Sequence, residues 1–114
     1  MEINTIEDLR QVEGMLHDSE FREEDFGFNS DNKKFQLKSQ SSDSPSKKFC
    51  LEIFNVVEYS SLNLEKVRQG KAVGGVFDYI KIADQGLALE IVSQDLKIRL
   101  RLSKLEGRLE ISNK

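Results

Sequence analysis

Leu96-Lys97-Ile98-Arg99-Leu100-Arg101-Leu102 is the stretch on which the fold turns. Apolar and basic residues alternate without a break, the two-residue beat of a strand with one face buried and the other in solvent. The same beat runs through Leu87, Leu89 and Ile91 upstream, with Ala88 and Glu90 between them, and through Leu109 and Ile111 downstream. A two-residue turn at Ser93-Gln94 sets Ile91 against Leu96, Leu89 against Ile98 and Leu87 against Leu100, with Glu90 opposite Lys97. A turn over Lys104-Leu105-Glu106-Gly107, with Gly107 left-handed, sets Leu102 against Leu109, Leu100 against Ile111 and Arg101 against Glu110. Apolar then meets apolar and acid meets base across three strands, each opposed charge pair contributing ~0.2–1 kcal/mol. Arg99 falls opposite Ala88 and Ser112, so it is the base left over for a partner. No aromatic side chain is interleaved on this basic face, and the net charge is -3, so nucleic acid is not an expected ligand.

Working back toward the N-terminus, Val76, Ile80 and Ile82 line one side of a further strand, with Phe77 and Tyr79 on the other, and Asp84-Gln85-Gly86 turns the chain. Residues 55–75 read less simply. Asn63 caps a short helical turn through Gln69, closed by Gly70; the alternative is a strand continued through Leu62 and Leu64. Gly70, Gly74 and Gly75 mark the region as pliable. Phe49, Leu51 and Ile53 form one face of a strand and Cys50, Glu52 and Phe54 the other, and apolar residues on both faces suit a central strand. Before it, residues 39–48, Ser-Gln-Ser-Ser-Asp-Ser-Pro-Ser-Lys-Lys, have nothing to bury and read as a flexible loop. Phe26 and Phe28 pair with Phe35 and Leu37 in a hairpin turned by Asn29-Ser30-Asp31-Asn32. Ile3, Ile6, Leu9 and Val12 recur at a helical interval, Asn4 or Thr5 offers a cap, and Gly14 offers a stop, so a helix is expected over residues 5–13.

These elements describe one domain over residues 1–114. It is an α+β fold of about seven mostly antiparallel strands, two-layered or half-barrel in shape, with one short N-terminal helix. Cys50 is the lone cysteine, which excludes an internal disulfide and a thiolate-rich zinc site. No apolar run approaches the ~20 residues of a membrane helix, and Met1-Glu2-Ile3-Asn4-Thr5 lacks the basic start of a signal peptide. The expectation is a cytoplasmic protein with no membrane partner.

Chemistry concentrates in Leu16-His17-Asp18-Ser19-Glu20-Phe21-Arg22-Glu23-Glu24-Asp25, which holds the single histidine and five carboxylates between Asp18 and Asp25. A metal here would be a hard cation on oxygen ligands, but the spacing matches no calcium loop, and no metal is expected. The short polar side chains of His17, Asp18 and Ser19 suit a fastened junction between helix and strand. Gly70-Lys71-Ala72-Val73-Gly74-Gly75 lacks the closing Gly-Lys-Ser/Thr of a phosphate loop, and no serine sits in a nucleophile elbow. No catalytic residue and no cofactor is therefore expected. His17, Asp18, Glu20, Glu23, Glu24, Asp25 and Arg99 are the candidate partner-binding residues, the acidic ones steering a basic protein.

Leu16-His17-Asp18-Ser19 after an N-terminal helix, Phe26-Gly27-Phe28 closing the next strand, and Phe54-Asn55-Val56 after the central strand together resemble small bacterial immunity proteins of polymorphic toxin systems. The likeness covers about half of the chain in pieces, and the segment from Val56 to Gly75 has no counterpart in it. The resemblance implies an α+β sheet domain that binds and neutralises a partner protein, and it carries over no catalytic residue. The expected function is a non-catalytic interaction module; the alternative is a small-molecule-binding or regulatory domain with its ligand held by the curved sheet.

Overall fold

A computed structural model describes residues 1–44, 46–63, 74–94 and 96–113. Helix α1 (Ile6–Leu16) begins at Thr5, whose Oγ1 accepts the Asp8 N–H at 3.2 Å while Asp8 Oδ2 accepts the Thr5 N–H at 3.1 Å. Asp8 also accepts the Asn4 N–H at 2.9 Å, and these donors, Asn4 first, hold its carboxyl below the usual range. The helix buries Leu9, Val12 and Leu16. It does not stop at Gly14, as the sequence suggested. Continuing through residues 14–16, nearly one more turn, carries Leu16 fully into the core, and that burial outweighs the cost of roughly 1 kcal/mol for one helical glycine.

Among the described residues, ten strands follow the expected antiparallel pattern, three more than the periodicity indicated. They are β1 (Glu2–Ile3), β2 (Glu20–Arg22), β3 (Phe26–Asn29), β4 (Lys34–Gln40), β5 (Lys47–Ile53), β6 (Val56–Asn63), β7 (Gly74–Ala83), β8 (Ala88–Ser93), β9 (Leu96–Leu102) and β10 (Gly107–Asn113). The extra strands include β1 and β2, which are too short to show a period and exist only through their partners. Hydrogen bonding orders the sheet β1-β10-β5-β4-β2-β7-β8-β9-β6, with β3 also on β4. A 3-10 turn at Glu23–Asp25 separates β2 from β3, so the two share β4 as one interrupted strand. The buried apolar side chains other than Val92 form one cluster, with Phe35, Phe77, Leu51, Ile53 and Ile98 among its most enclosed members. Phe28 of β3 stacks on Tyr59 of β6 at 5.3 Å, which brings the last strand of the order back toward β3.

Several local expectations hold. Phe26 pairs with Leu37 and Phe28 with Phe35, and β5 lies between β4 and β10. Others are corrected. The connection expected over 39–48 is shorter: β4 runs to Gln40 and β5 starts at Lys47, with Ser39 buried and paired with Phe49. Leu62 and Asn63 lie in β6, and residues 64–69 of the expected helical turn lie outside the described residues. A bulge between Phe77 and Tyr79 turns both Phe77 and Ile80 inward and leaves Tyr79 exposed, so the two sides of β7 exchange midway. The β8–β9 register is two residues away from the expected one, pairing Ile91 with Ile98 and Glu90 with Arg99. A two-residue slip keeps every side chain on its face, so the apolar pattern alone does not distinguish the two registers.

The largest correction concerns β10. It does not form a hairpin with β9 but crosses to β5 and β1, pairing Leu109 with Leu51 and Gly107 with Ile53 and Ile3. Gly107 is an extended residue in close quarters rather than a left-handed turn: a Cβ there would lie 2.6 Å from the Glu52 carbonyl oxygen. The chain makes a second crossing at Phe54-Asn55, from β5 to β6. The two crossings run side by side. Phe54 N–H donates to the Glu106 carbonyl and Ser103 N–H to the Asn55 carbonyl, each at 2.9 Å. Asn55 adopts a left-handed φ of 59° and donates from Nδ2 to Glu106 Oε1 at 3.2 Å.

Beyond Val76, β2 no longer covers β7, and the freed edge is closed by α1. Phe77 exchanges backbone hydrogen bonds with Asp18 and Ser19, at 2.9 and 2.8 Å. Past the bulge, the Glu13 carboxylate accepts the Ile80 N–H at 2.7 Å and the Arg10 guanidinium donates to the Ile80 carbonyl at 3.2 Å. Helix side chains thus stand where a neighbouring strand would. Glu13→Ala leaves the Ile80 N–H without its acceptor and is expected to cost about 1–3 kcal/mol in urea unfolding.

On the outer face of β5, Glu52 is buried beneath the side chains of two neighbouring strands. Its carboxylate meets Lys34 Nζ at 2.9 Å and Arg108 Nη2 at 2.6 Å. Those hydrogen bonds, Lys34 first and Arg108 second, outweigh desolvation and hold the Glu52 carboxyl below its ordinary 4.5. A lowered folded-state pKa means that the stabilisation is present above pH 4.5 and is lost as pH falls through the folded value. Glu52→Gln is expected to lower stability at neutral pH and to flatten the acid limb of a urea-midpoint profile from about pH 7 to pH 3. Asp8 leaves a residual slope of the same sign.

Candidate partner-binding groove

Ends of β10, β5, β4 and β2 converge with the start of β7 around an open groove of about 1060 Å³. Two tight packings shape it. Ser19 Oγ donates to Ser39 Oγ at 3.0 Å in the interior between β2 and β4. Gly75 lets β7 approach β8, since a Cβ there would sit 2.5 Å from Ser93 Oγ. Glu20 and Glu24 line one side, exposed to solvent, together with half-buried Asp25. Asp25 closes the 3-10 turn by accepting the Arg22 N–H at 2.8 Å. Phe21 and Phe49 contribute apolar surface, and Lys38, Lys48 and half-buried Cys50 line the groove from β4 and β5. Lys38 pairs directly with Cys50 across the β4–β5 register, and the Gln36 amide lies 3.4 Å from its sulfur.

The structure divides the seven candidate residues. Glu20, Glu24 and Asp25 come together in the groove. Glu23 turns away, toward Tyr59, whose phenol is pushed above its ordinary value by burial, with the Glu23 charge adding to it. His17 and Asp18 are solvent-facing ends of a fastened junction. Asp18 takes a left-handed φ of 67° so that its N–H reaches the Phe77 carbonyl. His17 ends α1 with Nδ1 at 3.3 Å from the Asp18 carboxylate and Nε2 at 3.8 Å from Asp78. The backbone of this motif, rather than its side chains, ties the helix to β7.

Arg99 lies apart from these, on a smaller groove of about 440 Å³ along β6, β9, β8 and β7. It is not the spare base that the sequence register implied. The true register sets it against Glu90, with Nε to Oε2 at 2.8 Å. Arg101 likewise meets Asp84 at 3.3 Å and Glu58 at 4.0 Å rather than Glu110, whose carboxylate lies 3.2 Å from Arg108. The charge ladder exists with exchanged partners. The sequence does not mark Lys38, Lys48 and Cys50 as groove residues: Lys48 falls in the segment that reads as a loop, and alternation places Cys50 on a strand face without saying which strand ends meet it. Among the described residues, no three His, Cys, Asp or Glu side chains stand together as a metal would require, and no helix is long and apolar enough to cross a membrane.

No family model, no curated protein and no solved structure matches the chain.

The Arg99–Glu90 pair is open to solvent on the arginine side, so its contribution is that of a surface ion pair. Arg99→Ala is expected to cost less than about 1 kcal/mol, with a coupling to Glu90→Ala of ~0.2–1 kcal/mol in a double-mutant unfolding cycle.

Proposed function

We propose that this chain is a non-catalytic, cytoplasmic interaction module that binds a basic segment of another protein through the acidic wall of Glu20, Glu24 and Asp25. It neutralises that partner in the manner of the immunity-type proteins that the Leu16-His17-Asp18-Ser19 segment resembles. One observation carries the reading. Glu52, Glu90, Asp84 and Glu110 are matched with bases inside the sheet, whereas Glu20 and Glu24 have no ion pair among the described residues although they stand together on a large groove. Charge that the fold leaves unmatched is available to steer a cationic partner.

The experiment is isothermal titration and stopped-flow binding against the product of the adjacent reading frame, at two salt concentrations. Glu20→Lys with Glu24→Lys is expected to slow association about tenfold or more and to remove most of its salt dependence, with the circular dichroism unchanged. Arg99→Ala binds as the unaltered chain does. Unchanged kinetics in the double reversal count against this wall. A second reading, a small ligand in the same groove, draws on its volume of about 1060 Å³, just above the ~300–1,000 Å³ of typical ligand sites; native mass spectrometry of freshly purified protein separates the two, since it shows added mass for that reading alone.

A further inference from the structure

The two most exposed large apolar side chains among the described residues, Leu62 at 53% and Val57 at 48%, lie on the same strand, β6. β6 is also where the hydrogen-bonded order of the sheet stops. It pairs with β9 on one side and, among the described residues, with no strand on the other. Its first amide is engaged, since Val56 N–H donates to the Lys33 carbonyl at 2.9 Å. The stretch from Val57 to Asn63 continues as an edge. Sheet edges in natural proteins are commonly short, or guarded by lysine or proline. At the other end of the order β1 has 2 residues, but β6 has 8, with neither lysine nor proline and with Glu58 as its one charge.

We infer that this edge is a self-association surface, on which β6 of one copy pairs antiparallel with β6 of a second copy of this chain about a two-fold axis at Ser60. Ser60 is the midpoint of the stretch left after Val56, so pairing about it uses the whole edge. The bulge between Val56 and Glu58 puts Glu58, Ser60 and Leu62 opposite Arg101, Arg99 and Lys97, on the polar face of β9. The two-fold axis then sets Leu62 of each copy opposite Glu58 of the other and next to its Val57, with the small Ser60 side chains facing each other. Both exposed apolar residues become covered, and the Glu58 carboxylates never oppose one another. β6 carries one charge over its 8 residues, so pairing two copies along it brings little like charge together, and the contact is isologous and closes at two copies. An extended segment of an unrelated protein is the competing occupant.

Sedimentation equilibrium of the full chain from about 10 μM to 1 mM tests this. A reversible monomer–dimer equilibrium is expected, with the dissociation constant raised about tenfold or more by Leu62→Lys and by Val57→Lys, neither of which touches the core. In a Cys50→Ser background, Ser60→Cys is expected to give a disulfide-linked dimer with diamide, and Ser41→Cys at the β4–β5 connection is not. A chain that is monomeric throughout overturns the inference, including one that takes up a strand only from a different protein. So does a dimer indifferent to both lysine substitutions. The Glu20→Lys, Glu24→Lys variant dimerises like the unaltered chain, so failure of the acidic wall and failure of this edge are read separately.

Discussion

Two crossing connections hold this fold together. Phe54-Asn55 carries the chain from β5 to β6, and residues 103–106 carry it back from β9 to β10. They lie against each other, joined by two backbone hydrogen bonds and by the Asn55 side chain. Strands far apart in the sheet order are thereby fixed in register with one another. β5 and β10 emerge from the crossing already opposed, which sets Leu51 against Leu109 in the core and Glu52 against Arg108 outside it. Asn55 bears the conformational cost, taking a left-handed backbone that asparagine tolerates better than most residues.

Elsewhere the architecture is a set of answers to one problem, the open strand edge. β1 is too short to attract a neighbour. β3 is covered by the stacking of Phe28 on Tyr59. β7 loses its strand neighbour halfway and gains a helix, whose Glu13 and Arg10 hydrogen-bond the backbone that the bulge exposes. The His17-Asp18-Ser19 segment belongs to the same device, since it passes the pairing from β2 to α1 without leaving Phe77 unpaired. Among the described residues, β6 stands out as a long strand without such a device, carrying apolar side chains in solvent.

Charge is distributed with the same economy. Acids on the faces of β5, β8 and β10 meet bases on adjacent strands or their own, and Glu52 is enclosed between two of them. The acidic wall departs from this pattern: among the described residues, Glu20 and Glu24 stand without an ion pair where strand ends converge on a groove. In the proposed binding role, recognition falls to side chains that the fold does not use.

Alternation from Phe26 onward was enough to establish antiparallel sheet, the β3–β4 hairpin, the central place of β5 and the inward faces of β8 and β9, because a period of two is a local property of the chain. A helix cap at Asn4 or Thr5 and the acidic character of residues 18–25 were legible for the same reason. What a period of two does not contain is the identity of the neighbour. The β8–β9 slip by two residues, the crossing of β10 away from β9, the bulge that exchanges the faces of β7, and the assembly of Glu20, Glu24, Lys38 and Lys48 around one groove all depend on which strands meet. That choice is made by packing around Leu51, Phe77 and Ile98 and by the close approach at Gly107, contacts between residues far apart in sequence, and so it belongs to the tertiary structure alone.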